Sequence, residues 1–95
     1  MISLQLEKYL IEFIGTFFFL YVIISTGFHP IIIGGALALV IFSGGEISGG
    51  HFNPAVTIMM TAAKKSPMKN ALPYIIAQIA GGLLALQLHK IVKFI

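Results

Sequence analysis

The sequence predicts an all-α membrane protein with three transmembrane helices and one re-entrant half-helix. Composition supplies the class: 58% of the 95 residues are hydrophobic and 9% charged, with a mean hydropathy of +1.00. A soluble domain of this size could not hide so much apolar surface. Segment length supplies the count, because three apolar runs lie at about 9–28, 30–45 and 71–89 against the roughly twenty residues that a crossing requires. The half-helix comes from an Asn-Pro pair, Asn53-Pro54, placed directly before a short apolar run.

The first run, Tyr9 to Phe28, follows a mixed lead from Met1 to Lys8 that reads as an interfacial start. It is broken by one charge, Glu12. Glu12 lies a turn beyond Lys8, so it either reaches the interface or turns inward to accept hydrogen bonds, since an unpaired ionisable group within a span is costly. A short lysine-free connection, Thr26 to Pro30, leads to the second run, Ile31 to Gly45, which Pro30 extends at its start. Gly34, Gly35, Ala36 and Ala38 give this helix a small-residue face suited to close helix packing. The third run, from about Ala71 to His89, places Pro73 in its first turn and carries Gln78, Gly81 and Gly82 as a contact strip. His89, Lys90 and Lys93 read as interface anchors.

Between the second and third runs, residues 46–63 form the re-entrant loop and half-helix. Gly44, Gly45, Gly49 and Gly50 allow backbone conformations closed to other residues and let carbonyl oxygens face one side. Such a row can replace part of the hydration shell of a passing molecule. Asn53 is a favoured N-cap and Pro54 a favoured first helical residue. The helix from Pro54 to about Ala63 spans only about 15 Å, half of a hydrocarbon core about 30 Å thick. A polar helix start at that depth is tolerated only where protein covers it or a wet cavity adjoins it. His51 has three readings: a packed residue, a pore-lining group, or a pH-sensitive one. Lining or bracing is favoured.

The basic, proline-marked turn Lys64 to Lys69 returns the half-helix to the side on which it began. With Lys8, its three lysines outnumber Lys90 and Lys93 at the other end. The positive-inside rule then places the N-terminus and the motif loop in the cytoplasm.

Ile47 to Thr57, Ile-Ser-Gly-Gly-His-Phe-Asn-Pro-Ala-Val-Thr, resembles the first signature loop of the aquaporin and aquaglyceroporin family, the major intrinsic proteins. Glu12 to Phe17 is similar to that family's first helix, and Tyr74 to Gln78 with Gly81 and Gly82 to its third. The ordered set covers almost the whole chain, so residues 1–95 read as a single aquaporin-like repeat, the N-terminal one of two. The resemblance implies a loop-bracing role for Glu12 and a carbonyl ladder around Gly49, Gly50 and His51. It also implies a pore constriction at Asn53, Pro54 and Ala55, with Ile33 near the filter position of the second helix. One departure matters: the family's second Asn-Pro-Ala is followed by a filter arginine, whereas Val56 follows Ala55 here and the chain has no arginine.

The expected function is passive permeation of water or a small neutral solute. Three spans cannot enclose a pore, so a second wall is expected from a separate second-half chain or from an antiparallel homodimer, within a possible higher oligomer. The rival reading is a non-conducting truncated or split membrane protein that interacts with a full-length channel. No cofactor is expected, and the lipid bilayer is the surrounding partner. An enzyme is not expected, because three scattered histidines and three glutamates without cysteine offer no paired acid and base. Nucleic acid is excluded as a partner: the net charge of +3 comes from lysines at segment ends, not along one face. A cleavable leader is not expected either, since Glu7 precedes and Glu12 interrupts the first apolar run and no small-residue cleavage site follows it.

Overall fold

A computed structural model describes residues 3–92; Lys93 and the first two residues of the lead lie outside them. Four helices follow in order: α1 (Leu4–Ser25), α2 (Pro30–Ser48), α3 (Pro54–Ala62) and α4 (Met68–Ile91). Among the described residues there is no strand, and α1, α2 and α4 are each long and apolar enough to cross a membrane. The chain is an all-α membrane protein. Its long dimension of 42 Å matches a bilayer with its headgroups, about 40–45 Å.

Local chemistry sets each boundary, in places several residues from the sequence expectation. α1 begins at Leu4 and not near Tyr9, because the Ser3 hydroxyl accepts from the Leu6 amide at 3.2 Å and Glu7 sits in the first turn. It stops at Ser25, short of Phe28, where Gly27 and Phe28 both take positive φ. α2 starts at Pro30, capped by the His29 ring, whose Nδ1 accepts from the Ile32 amide. It runs through Gly44 and Gly45 to Ser48, so Glu46 to Ser48 are helical and not part of the loop. The stop is Gly49, with φ 95° in the left-handed region that favours glycine. α4 begins at Met68, not Ala71, which leaves Pro73 inside the helix. Pro73 lacks the amide that would reach the carbonyl of Lys69, an exposed residue whose carbonyl water can serve.

Packing inverts the pattern of a soluble protein. Buried side chains include Glu12, Thr16, Ser48, His51, Thr57, Asn70 and Gln78, whereas Ile14, Phe18, Phe42, Ile58, Leu72 and Leu83 face outward. An apolar exterior around a polar interior suits a lipid environment, where the outer face costs nothing and each inner polar group needs a partner. α1 lies between α2 and α4. It approaches α4 tightly at Gly81, where a Cβ would stand 2.7 Å from the Phe13 carbonyl oxygen and 3.0 Å from the Phe17 nitrogen. α2 meets α1 where Gly44 faces Ile11. Gly34 and Gly35, expected to seat a neighbouring helix, have only open space around them; their face of α2 has no partner within the described chain.

α3 runs antiparallel beside the first half of α4. Its start shares a groove with Gln78, Ile79, Gly82 and Leu83, at mid-height of α4, while its end joins the start of α4 through the Ala63–Pro67 turn. α3, with nine residues, is thus well under half the length of the 24-residue α4.

The α1–α4 crossing yields a test. Gly81→Val should destabilise the bundle by about 1–3 kcal/mol through overpacking, read as a lowered unfolding midpoint in detergent micelles. Gly34→Ala should leave that midpoint unchanged or raise it; equal losses at the two sites would refute the packing described.

Candidate functional site

The site is built around one carboxylate. Glu12, half-way along α1, is fully buried and accepts four hydrogen bonds. Oε2 receives the Ser48 hydroxyl at 2.8 Å and the His51 amide at 3.1 Å. Oε1 receives the Phe52 amide at 2.8 Å and the Gln78 Nε2 at 2.8 Å. All four partners are donors, the set that an ionised carboxylate can satisfy without a cation. One side chain of α1 therefore ties together the end of α2, the loop and the middle of α4.

The loop needs that restraint because its backbone is strained. Gly49 and Gly50 take φ of 95° and 69°, and Phe52, which is not a glycine, takes 53°. A bulky residue in the left-handed region persists only where its surroundings over-determine it. Here the Phe52 amide is held by Glu12, and its buried ring fills the space beside Gly15, where any Cβ would collide with it. The amides of Gly50, His51 and Phe52 all donate inward, to the Ser48 hydroxyl and to Glu12. Among the described residues no partner within the chain is found for the carbonyls of Gly49, Gly50, His51 and Phe52.

A second layer fixes α3. Thr57, fully buried, has its hydroxyl 2.8 Å from both Gln78 Nε2 and His51 Nδ1. The Tyr74 hydroxyl donates to the Ser48 carbonyl at 2.6 Å, and its ring meets the His51 ring edge-on at 5.2 Å. The His51 side chain is thus packed inward as a brace and its amide is held by Glu12, leaving its carbonyl as the group without a partner within the described chain.

Asn53, Pro54 and Ala55 stand differently. Asn53 is exposed, and its Oδ1 accepts from the Ala55 amide at 2.8 Å, capping α3. Its Nδ2 has no partner within the described chain. Asn53 and Pro54 open on a groove of about 500 Å³ bordered by Thr16, Leu20, Gln78 and Leu83. Two buried atoms of that border, Thr16 Oγ1 and Gln78 Oε1, find no hydrogen-bond partner. Ile33 is not brought to this place: it lies in the first turn of α2, bonded through its amide to the His29 carbonyl, and does not border the groove. No group of three or more metal-ligating side chains occurs among the described residues.

Sequence reasoning passed over the bracing roles of Ser48, Thr57 and Tyr74. The signal was present in α4, whose buried residues Asn70, Tyr74, Gln78, Gly81 and Ala85 follow one helical face. A polar stripe inside an otherwise apolar helix marks the side turned away from lipid.

Residues 27–94 match the family model described as Major intrinsic protein. Among curated proteins, the chain is 43% identical over 89 residues to Glycerol uptake facilitator protein-like 6 of Lactiplantibacillus plantarum, covering 84% of this chain and 41% of the relative. It is 31% identical over 93 residues to Nodulin-26 of Glycine max, covering 84% and 34%. It is 34% identical over 103 aligned positions to Aquaporin Z of Bradyrhizobium diazoefficiens, covering 94% and 43%. The chain therefore spans well under half the length of these relatives. No solved structure gives a significant match.

Replacing Glu12 by Gln keeps its shape but leaves one oxygen where two are needed and turns an amide group towards donors. Amide hydrogen exchange at His51 and Phe52 should then quicken by at least about tenfold, the equivalent of losing one charge-assisted bond. Unaltered protection at both amides would mean that the loop is held by something else.

Proposed function

Because this chain belongs to the major intrinsic protein family, we propose that it is one half of a channel for passive permeation of water or small neutral solutes, conducting once a second half closes the pore. The observation that carries the reading is the contrast around Asn53. The amides of His51 and Phe52 are committed to the buried Glu12, while the Asn53 side-chain amide and the start of α3 open on the mid-height groove. In a membrane, α3 would dip half-way and leave by the side it entered.

The chemistry follows from that placement. The N-terminus of α3 offers a field equivalent to about half a positive charge, which disfavours cations and protons. Asn53 Nδ2 can donate to a passing oxygen, and the carbonyls of Gly49, Gly50 and His51 can accept from its hydrogens. Water or a polyol exchanges hydrogen bonds along such a row without a net loss. Apolar side chains such as Leu20 and Leu83 on the groove wall offer nothing to a bare ion. No bond is made or broken, so the activity is transport and not catalysis. Relatives named for glycerol uptake and as an aquaporin frame the solute classes.

The second wall would come from a second-half chain or from an antiparallel copy, in a higher oligomer if the copies cluster. The exposed apolar residues of α1 and α4 and the open Gly34–Gly35 face supply surface for such pairing. On the lysine bias the N-terminus and the motif loop would face the cytoplasm, and an antiparallel partner would insert the opposite way.

Proteoliposomes holding only this chain test the proposal, with water and glycerol permeability read by light scattering. Asn53→Asp keeps the helix cap, since Asp caps as well as Asn, but sets a charge in the path. The wild type should raise permeability several-fold over empty vesicles, and the variant should not. Flux from the wild type no greater than from empty vesicles would favour the non-conducting reading, in which the chain interacts with a full-length channel.

A further inference from the structure

The α3–α4 turn concentrates positive charge, with Glu7 on the α1 turn whose Gln5 and Tyr9 bond Asn70. Lys64, Lys65 and Lys69 are all exposed and fall within six residues, and no Asp or Glu occurs after Glu46. Of the three acids in the chain, Glu12 is buried and committed to the loop. Lys64, Lys65, Ser66 and Met68 border an open cleft of about 630 Å³, with Thr61 at its inner edge.

Lys64 is also held against its own stereochemistry. It takes φ 62° at the end of α3, with its amide on the Thr61 carbonyl and the Lys65 amide on the Met60 carbonyl. That pairing is a Schellman ending, whose left-handed position is ordinarily glycine. A lysine there carries a conformational cost that glycine would avoid, and strain retained at one residue points to a use for its side chain.

Apolar side chains identify the kind of anion. Ile58, Met59, Met68 and Leu72, on the turns next to the lysines, are each more than half exposed. Hydrocarbon contact beside a cationic cleft suits an amphiphile, not a soluble anion. We propose that the α3–α4 turn docks the headgroup of an anionic phospholipid, with Lys64 and Lys65 contacting its phosphate in the cleft, Lys69 on the first turn of α4 adding to the local positive charge, and the flanking apolar residues contacting its acyl chains. This site is separate from the groove at Asn53 and stands whether or not the chain conducts.

Native mass spectrometry of the full chain in detergent tests it, offering equal amounts of phosphatidylglycerol and phosphatidylcholine with the same acyl chains. The wild type should retain phosphatidylglycerol about tenfold over phosphatidylcholine, and the preference should shrink as ionic strength approaches about 0.5 M. The K64Q/K65Q/K69Q variant should bring it to parity. Lys90→Gln, at the far end of α4, should leave it intact, as should K64R/K65R/K69R. Lys64→Gly should weaken the preference while raising the melting temperature, a pair of opposite effects that a purely structural lysine would not give. Parity in the wild type, a preference indifferent to salt, or equal loss in Lys90→Gln would overturn the proposal. Should the triple glutamine variant fail to fold, the salt series and the arginine variant decide the matter by the same criteria.

Discussion

The structure depends on the hydrogen bonds of one buried carboxylate. Glu12 receives donors from Ser48, His51, Phe52 and Gln78, and so joins the loop to the helices on either side. Burying a charge without a cation is tolerable only when its acceptor capacity is filled. Each of those donors would itself be unsatisfied in an apolar setting. The arrangement is therefore mutual: the loop needs the carboxylate as much as the carboxylate needs the loop.

Geometry then propagates outward from that point. Holding the amides of His51 and Phe52 fixes the direction in which the chain enters α3, and Thr57, bonded to Gln78 and beside His51, fixes its height against α4. Glycines supply the clearance: Gly15 receives the Phe52 ring, Gly81 admits α1, and Gly49 ends α2 in a left-handed turn. The residue left facing the groove is Asn53, whose oxygen is used in the cap and whose nitrogen is free. Behind this one exposed polar group stands a support of buried hydrogen bonds that keeps it from relaxing.

Much of this was legible in the sequence, for identifiable reasons. Asn53-Pro54 is a strong local helix start, and hydrophobic length marks membrane spans well because lipid imposes the rule on every residue alike. Glu12 could be singled out as anomalous, yet the residues alone did not say whether it faced water or the interior. Its partners come from positions 36 to 66 residues away, and no local pattern carries that pairing. The same holds for Tyr74 and Thr57, whose roles depend on helix facing. Boundaries slipped where capping outweighed hydropathy, as with Ser3 at α1 and Gly49 at α2. Ile33 was placed by resemblance alone, and within this chain it stays apart from the groove. Gly34 and Gly35, suited to close packing by composition, meet no neighbour within the described chain.

In a bilayer α3, held through Glu12, should begin at mid-depth and return to its side of origin. The chain has no cysteine, so single nitroxide labels can be placed at Ala55→Cys, Ala63→Cys, Ile79→Cys and Met68→Cys and their immersion depth read by power-saturation EPR in bilayers. The account predicts that position 55 lies as deep as position 79 and that position 63 lies at the surface with position 68. Equal depths for 55 and 63, or depths at opposite faces of the membrane, would contradict it.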